Sequence, residues 1–467
     1  MAETRFARIA DDVRDLLRAE RYEGLGDLVG QYQPTEIAED LEVFSPDEQF
    51  ALLRQLPTTQ AVDILECLDE PLQIELLKRF HQQRQAAFLR AMEPDDRADL
   101  FQALPEHLAA KFLAMLPREE KEKVRELVSY GPTTAGGLMT TDFASVSPEM
   151  TVAQAIQRFR LNYADLEMVY YIYVLDGDSR LVGVVSIRQM LLREPDERIE
   201  AIMFRNVISV RPDTDQEEVA QILTLYDFYA LPVVEESKHM LGIVTFDDIA
   251  DVMSDEATED LERFGAVLPS EQSYGKTSVW AHVRRRVPWL FALLVLSSIS
   301  GFVISHAQGR YFTGDESGFV LFGLLVALYP MLTATAGNAG TQVATLMIRG
   351  VATGEISAKD RWQVLWKELL ISLAMGAVLA VLAFARSMMG ADQAHWLFLG
   401  CSVGAALVAM LIIANLTGAL LPLLSERLGI DPALMSGPLI ATIIDILSAV
   451  VYFAIAALVV MKIFPLG

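Results

Sequence analysis

A single aspartate, Asp445, interrupts the apolar run SGPLIATIIDILSAVVYF, residues 436–453. A carboxylate well inside a membrane-spanning segment costs about 2.5–3.5 kcal/mol on insertion scales, so it faces a cavity, a partner or an ion. No Lys or Arg lies deep in any of the apolar segments, and a cation is the natural counter-charge. A buried helix–helix hydrogen bond is the plainer alternative. A second polar stretch, LYPMLTATAGNAGTQVATLMI (328–348), carries Pro330, threonines, glycines, Asn338 and Gln342 in a run without charge. Small residues there allow close helix packing. Pro330 and the glycines also free or expose backbone carbonyls, which persist at membrane depth only where they line water or bind something. Carbonyl and amide oxygens are hard ligands suited to Mg²⁺ or Ca²⁺. Taken together, Asp445 and this stretch favour a cation pore.

Two further acidic sets lie outside the apolar segments. In TFDDIADVMSDEATEDLERFG (245–265), Asp248, Asp251, Asp255 and Glu259 share one face of a helix. Like charges three or four apart destabilise an isolated helix by a few tenths of a kcal/mol per pair. A divalent cation would relieve that repulsion; a solvated face is the alternative. In MEPDDRAD (92–99), Glu93, Asp95, Asp96 and Asp99 exceed what helix-start chemistry needs.

These groups need elements to hold them. The chain has 467 residues and a net charge of −24, and the charge is unevenly placed. Residues 276–467 hold 12 basic and 9 acidic side chains, whereas residues 1–275 hold 26 and 53. An acidic surface of that kind repels phosphate backbones and attracts cations, so nucleic acid is excluded as a partner. Five apolar segments, at roughly 287–306, 318–346, 364–386, 396–424 and 434–461, are near or above the ~20 residues that cross a bilayer. Asp445 is the exception to a near absence of charge within them. The second is too long for one straight crossing and should tilt or bend, with Pro330 as the bend point. Basic residues at 284–286 and around the connection between the second and third spans place the N-terminal part inside and the C-terminus outside. The start, MAETRFARIADDVRDLLRAE, lacks the apolar core of a secretory signal, which keeps the acidic part cytoplasmic. Cys67 and Cys401 form no disulfide framework.

Residues 136–255 contain an internal repeat. Each copy gives a short S-V-x-P strand, an amphipathic helix, two β-rich runs joined by a turn, and a helix. The pattern resembles a pair of CBS domains, α/β modules that dimerise and often sense an adenine nucleotide. In that family a G-h-h-[ST]-x-x-D strand end puts a hydroxyl near phosphate and an Asp on ribose. The second copy fits through Gly242, Thr245 and Asp248; the first has Gly183 and Ser186 but Gln189 in place of the Asp. A purely structural dimerisation module is the alternative. Residues 1–130 read as short helices punctuated by Leu-Pro at 56–57, 104–105 and 116–117, a superhelical stack.

The order of these parts resembles the MgtE family of magnesium channels and transporters over nearly the full length. The motifs are P-x-L-x-x-x-x-G-N-A-G-x-Q from Pro330 to Gln342, D-P-A-x-x-S-G-P from Asp431 to Pro438, Asp445, and EATED at 256–260. The resemblance implies a multidomain membrane protein: an all-α superhelical N-domain (1–132), an α/β tandem CBS pair (136–200 and 201–255), a connecting helix (256–283) and a five-helix α transmembrane pore domain (284–467). It implies a homodimer in the plasma (inner) membrane with the pore on the two-fold axis, lined by the second and fifth spans. Asp445, Gly337, Asn338 and Gly340 are its pore residues. Asp95, Asp96, Asp99, Asp248, Asp251, Glu256, Glu259, Asp260 and Asp431 are its cytoplasmic Mg²⁺ sensor, and Thr245 and Asp248 its nucleotide contacts, with ATP at the CBS pair. Mg²⁺ would be both transported and regulatory, bridging the carboxylates and closing the pore. The alternatives are another CBS-regulated transporter or channel, for a different divalent, an anion or an organic solute, and a membrane-anchored sensor without transport. No P-loop, nucleophile elbow or HExxH motif occurs, so no enzyme is read.

Overall fold

The computed structural model describes residues 13, 14, 16, 25–41, 43–163, 166, 169–270, 274, 275, 277–312, 316–352, 355–388 and 396–462. Most of the N-terminal stretch read for a signal lies outside these residues. The chain forms two compact units, Met1–Ser254 and Asp255–Gly467.

The first unit opens with a run of short helices: α1 (Leu25–Val29), α2 (Pro34–Leu41), α3 (Pro46–Gln55), α4 (Thr58–Glu66), α5 (Glu70–Arg79), α6 (Gln82–Ala91), α7 (Pro94–Ala103), α8 (Glu106–Met115) and α9 (Arg118–Val128). The Leu-Pro pairs are junctions. A residue before proline avoids the α region, so Leu56, Leu104 and Leu116 end their helices in extended conformation. All three leucine side chains are buried. From α2 onward each helix packs on the next but one, which produces the expected superhelical stack. The carbonyls that helix ends leave unpaired are met by a recurring device. Gln49 donates to the Leu41 carbonyl at 2.7 Å, Gln85 to Leu77 at 2.9 Å and Arg97 to Leu89 at 2.9 Å, each eight residues back.

The repeat folds as two α/β copies. In the first, β1 (Ser145–Val146) pairs parallel with β2 (Tyr171–Leu175), which pairs antiparallel with β3 (Leu181–Ser186). Around them lie α10 (Val152–Asn162), α11 (Ile187–Leu191) and α12 (Ile199–Ile202). In the second copy α13 (Gln216–Tyr226) precedes β4 (Ala230–Val234), which pairs antiparallel with β5 (Met240–Thr245). Val210 bridges Val233 in parallel there, the counterpart of β1 reduced to one residue. Tyr173 and Leu181 of the first copy share a buried cluster with Ala230, Met240 and Ile243 of the second.

The connecting helix differs from the expected 256–283. It is α14 (Phe246–Phe264), which starts at the end of β5 and stops ahead of Gly265 and a left-handed Ala266 at φ +56°. The Val267 amide donates to the Glu262 carbonyl at 2.9 Å and closes that end. Five helices long and apolar enough to span a membrane follow: α15 (Val279–Tyr311), α16 (Glu316–Ala352), α17 (Arg361–Met388), α18 (Trp396–Arg427) and α19 (Gly437–Lys462). α18 is central and packs on α16, α17 and α19. α15 packs on α19, and the most apolar part of α15 is not buried within the chain.

α16 is not broken at its polar stretch. It runs as one helix through Pro330, and its threonines turn their hydroxyls onto its own carbonyls, Thr335 to Met331 at 2.8 Å and Thr341 to Gly337 at 2.9 Å. Part of the polarity is therefore absorbed within the helix. Gly340 meets Gly418 of α18 so closely that a Cβ built on Gly418 would lie 2.3 Å from the Gly340 carbonyl oxygen. Gly418→Val should overpack this contact and destabilise the membrane unit by about 1–3 kcal/mol. A lowered thermal midpoint of the detergent-solubilised protein, beside an unchanged Gly301→Ala control in open space, checks this.

Candidate functional site: carboxylates of the two units

In the membrane unit, Asp445 lies half-buried on α19. Among the described residues no charged side chain is found to act on it, and its backbone carbonyl accepts a hydrogen bond from the Tyr329 hydroxyl of α16 at 3.1 Å. Tyr329 itself sits against Tyr452 and Phe453 of α19, an aromatic anchor for the α16–α19 pair. One turn before Asp445, Ala441 faces Gly337 at 4.0 Å. A Cβ on Gly340 would meet Ile444 at 2.1 Å and the Ala414 carbonyl at 2.9 Å, so Gly340 serves close packing. Asn338 is exposed between two buried neighbours, Gly337 and Ala339. α16 and α19 thus carry the four sequence-expected pore residues on paired helices, with Asn338 and Asp445 the side chains not enclosed by packing.

Asp445 is not the sole carboxylate within a span. Glu368 lies inside the 364–386 segment and is more buried, at 7% exposed. Asn415 of α18, 1% exposed, donates to its Oε2 at 3.5 Å, while the Asn415 Oδ1 has no partner. The nearness of Glu368 to the charged start of α17 hid it in the sequence; only the α17–α18 packing shows that it points inward.

In the first unit, α7 packs on the second repeat copy through Ala98, which joins Val219, Leu223 and Ile249 in one buried cluster. This brings Asp95, Asp96 and Asp99 to Asp248 at the start of α14. Asp95 is 9% exposed with an unpartnered Oδ1, and burial first, then Asp248 and Asp96, push its carboxyl well above the usual range. Burial, Glu70 and Asp248 push Asp99 up to about 7. Glu70 is a member that the sequence reading missed, because α5 meets α7 only through the stacking of alternate helices. Asp251 is exposed and does not act on Asp95 or Asp99.

The second unit holds the other set. Asp260 is pushed up to about 6 by burial, Asp431 and Glu256. Arg263, unremarked in the sequence, bonds Glu259 and Asp431 at once. Among the described residues, no three acidic, His or Cys side chains come close enough to hold one metal ion together. The orphaned Asp95 oxygen and the mutual repulsion around Asp248 fit a hard cation held partly through its own water.

The two strand ends differ in what they offer a nucleotide. In the second copy the buried Thr245 hydroxyl donates to Asp248, and the carboxylates of α7 face the same Asp. A phosphate would meet negative charge there. Between the two copies, a cavity of about 420 Å³ is lined by Tyr171 and Tyr173 of the first and by Phe204, Tyr226 and Phe228 of the second. A neighbouring one of about 420 Å³ is lined by Ser186, Arg188, Gln189 and Leu192. Gln189 occupies its side chain in a capping box, accepting from the Ser186 amide at 2.9 Å. Aromatic faces beside an Arg and a hydroxyl suit a base and phosphates.

Residues 329–455 match the MgtE family, described as a divalent cation transporter, residues 32–133 the MgtE intracellular N domain, and residues 135–195 and 199–255 the CBS domain. The chain is 34% identical over 454 residues to the magnesium transporter MgtE of Thermus thermophilus, covering 97% of this chain and 98% of that one. It is 33% identical to the magnesium transporter MgtE of Bacillus subtilis, covering 94% and 95%. Among solved structures, the soluble part of a magnesium transporter aligns with a TM-score of 0.51 at 32% identity, over 54% of this chain and 99% of that one. The cytosolic domain of the Mg²⁺ channel MgtE in complex with ATP aligns with a TM-score of 0.50 at 33% identity, over 52% and 99%.

Two predictions come from this geometry. Asp99 titrates near 7 in the folded chain and near the ordinary 3.8 when unfolded. The folded state therefore binds the proton more tightly, and stability falls as pH rises from about 4 through about 7. Protection factors over α7, which divide out the base-catalysed intrinsic rate, should fall in chelator between about pH 4 and about pH 7, and Asp99→Asn should flatten that dependence. Glu368→Ala should cost about 1–3 kcal/mol by leaving Asn415 without its acceptor, while Glu368→Gln retains most of the stability; thermal unfolding in detergent compares the two.

Proposed function

The chain belongs to the MgtE family of divalent cation transporters, and from that premise we propose that it conducts Mg²⁺ across the plasma membrane through a pore lined by α16 and α19. The observation that carries the reading is Asp445, a carboxylate near the middle of α19 on which no other charge among the described residues is found to act. Such a group needs a cation or water as its neighbour. The pore lies on the two-fold axis of a homodimer, so that two Asp445 carboxylates and the Asn338 amides face one passage. Mg²⁺ gives up its waters reluctantly, and these oxygens hold it mostly hydrated. The basic residues of Arg284 to Arg286 keep the N-terminal part in the cytoplasm, and five crossings leave the C-terminus outside.

The carboxylates of Asp95, Asp96, Asp99 and Asp248 in one unit, and of Glu256, Glu259, Asp260 and Asp431 in the other, are the groups that would hold regulatory Mg²⁺. Two carboxylates about 4 Å apart repel by roughly 4 kcal/mol at an effective dielectric of 20. Without a cation these sets push their elements apart; with one they draw together. This is a population shift by a ligand that favours one state, and the favoured state is the closed pore. ATP, held by the cytosolic domain of the MgtE channel noted above, enters the cleft between the copies here. Tyr171 and Phe228 take the base, and Ser186 and Arg188 the phosphates. Gln189 leaves the ribose without its carboxylate, which weakens the site relative to the family pattern.

Mg²⁺ flux into proteoliposomes tests transport directly. Asp445→Asn should lower the flux at least tenfold while the protein stays folded and dimeric by size-exclusion chromatography. Flux equal to the parent's overturns the pore assignment, and chloride flux without Mg²⁺ entry overturns the cation reading.

A further inference from the structure

We propose that Arg263 is a built-in counter-cation that clamps the end of α14 to the start of α19, and so sets how much internal Mg²⁺ closes the pore. The inference rests on the Mg²⁺ regulation proposed above. Its basis is where the guanidinium sits. One nitrogen bonds Glu259, one turn back on α14, and another bonds Asp431 in the connection between α18 and α19. Asp431 divides its two oxygens. Oδ2 takes Arg263, and Oδ1 accepts the Ala433 amide at 2.8 Å and so fixes the short turn Pro432–Leu434 that leads into α19. The fork of Arg263 is therefore one bond from the turn that aims the Asp445 helix.

The neighbours of Arg263 on α14 tighten the same joint. Phe264 lies against Gly437, the first residue of α19; a Cβ there would be 3.2 Å from the ring. On the other side, Glu262 takes Arg285 of α15 on both oxygens at 2.7 Å. Three consecutive residues thus join α14 to α15 and to the entrance of α19. Around Arg263, however, stand Glu259, Asp260 and Asp431, three carboxylates that act on one guanidinium. The joint carries excess negative charge even with Arg263 in place. Arg263 and regulatory Mg²⁺ act on the same carboxylates from opposite sides of the balance: the arginine supplies a permanent part of the neutralisation, and the ion completes it.

Two roles for Arg263 predict shifts of opposite sign. As a clamp, its loss leaves these three carboxylates repelling, and more Mg²⁺ is needed to draw α14 onto α19. As a mere occupant of the place an ion would take, its loss frees that place, and less Mg²⁺ suffices. Mg²⁺ flux into proteoliposomes is measured as the Mg²⁺ on the cytoplasmic side is varied, for the parent, Arg263→Gln and Arg263→Lys. The clamp predicts a half-inhibiting concentration raised about fivefold or more in Arg263→Gln, the scale of an ordinary coupling between sites. Arg263→Lys keeps the charge without the two-armed fork and should shift less, in the same direction. It serves alone if Arg263→Gln does not fold. In an Asp431→Asn background, Arg263→Gln should add little, since the partner of the clamp is already gone. A curve that overlays the parent's, or a shift to lower Mg²⁺, overturns the clamp while leaving the regulation standing. A parent that Mg²⁺ does not inhibit overturns both.

Discussion

Carboxylates held close together without enough positive charge govern both units of this protein. Asp95 and Asp99 meet Asp248 where α7 packs on the second repeat copy, and burial and the neighbouring carboxylates raise both. Glu259, Asp260 and Asp431 meet around Arg263, and Glu256 acts on Asp260 beside them. Burial makes such repulsion stronger than it is on a solvated surface, because the screening of water is reduced. An apolar core could not impose this condition. Under the proposed regulation, a cation that binds there would shift the balance between two arrangements of the joints.

The membrane unit answers the same problem by different means. α18 is surrounded by its neighbours and brings glycines together, so that backbone lies on backbone at Gly340 and Gly418. The threonines of α16 bond to their own helix. Glu368 finds Asn415. The hydroxyls of these threonines and the Asn415 amide nitrogen find their acceptors inside the bundle, as hydrocarbon demands, although the Asn415 Oδ1 is left without a partner. Asp445 and Asn338 remain outside that closed set. A polar stretch that the sequence left open between helix packing and a pore lining is divided between packing and exposure. The division follows from which helix face meets α18.

Within the first unit, the two α/β copies have diverged in use. The second copy keeps the strand-end Thr245 and Asp248, yet Asp248 is committed to the acidic joint and to Thr245 itself. The first copy has Gln189 in place of the strand-end acid, yet its Tyr171 and Tyr173 share with the second copy the aromatic cavity beside Arg188. Motif matching alone favours the copy that the packing makes inhospitable to phosphate.

The five spans, the stacked helices with their Leu-Pro junctions, the repeated α/β pattern and Asp445 were all legible in the sequence. Each depends on local periodicity, on proline stereochemistry or on a charge in an apolar run, and these need no knowledge of distant residues. Local sequence did not determine where α14 ends, because Ala266 takes a left-handed conformation that alanine gives no reason to expect. Nor could it reveal the inward turn of Glu368, the approach of Glu70 to Asp99, or Arg263 standing between Glu259 and Asp431, 168 residues from the latter. Those relations are made by helix packing across long stretches of chain. Residue type states what chemistry is on hand, but only tertiary contact brings charges within the few ångströms at which they act on one another.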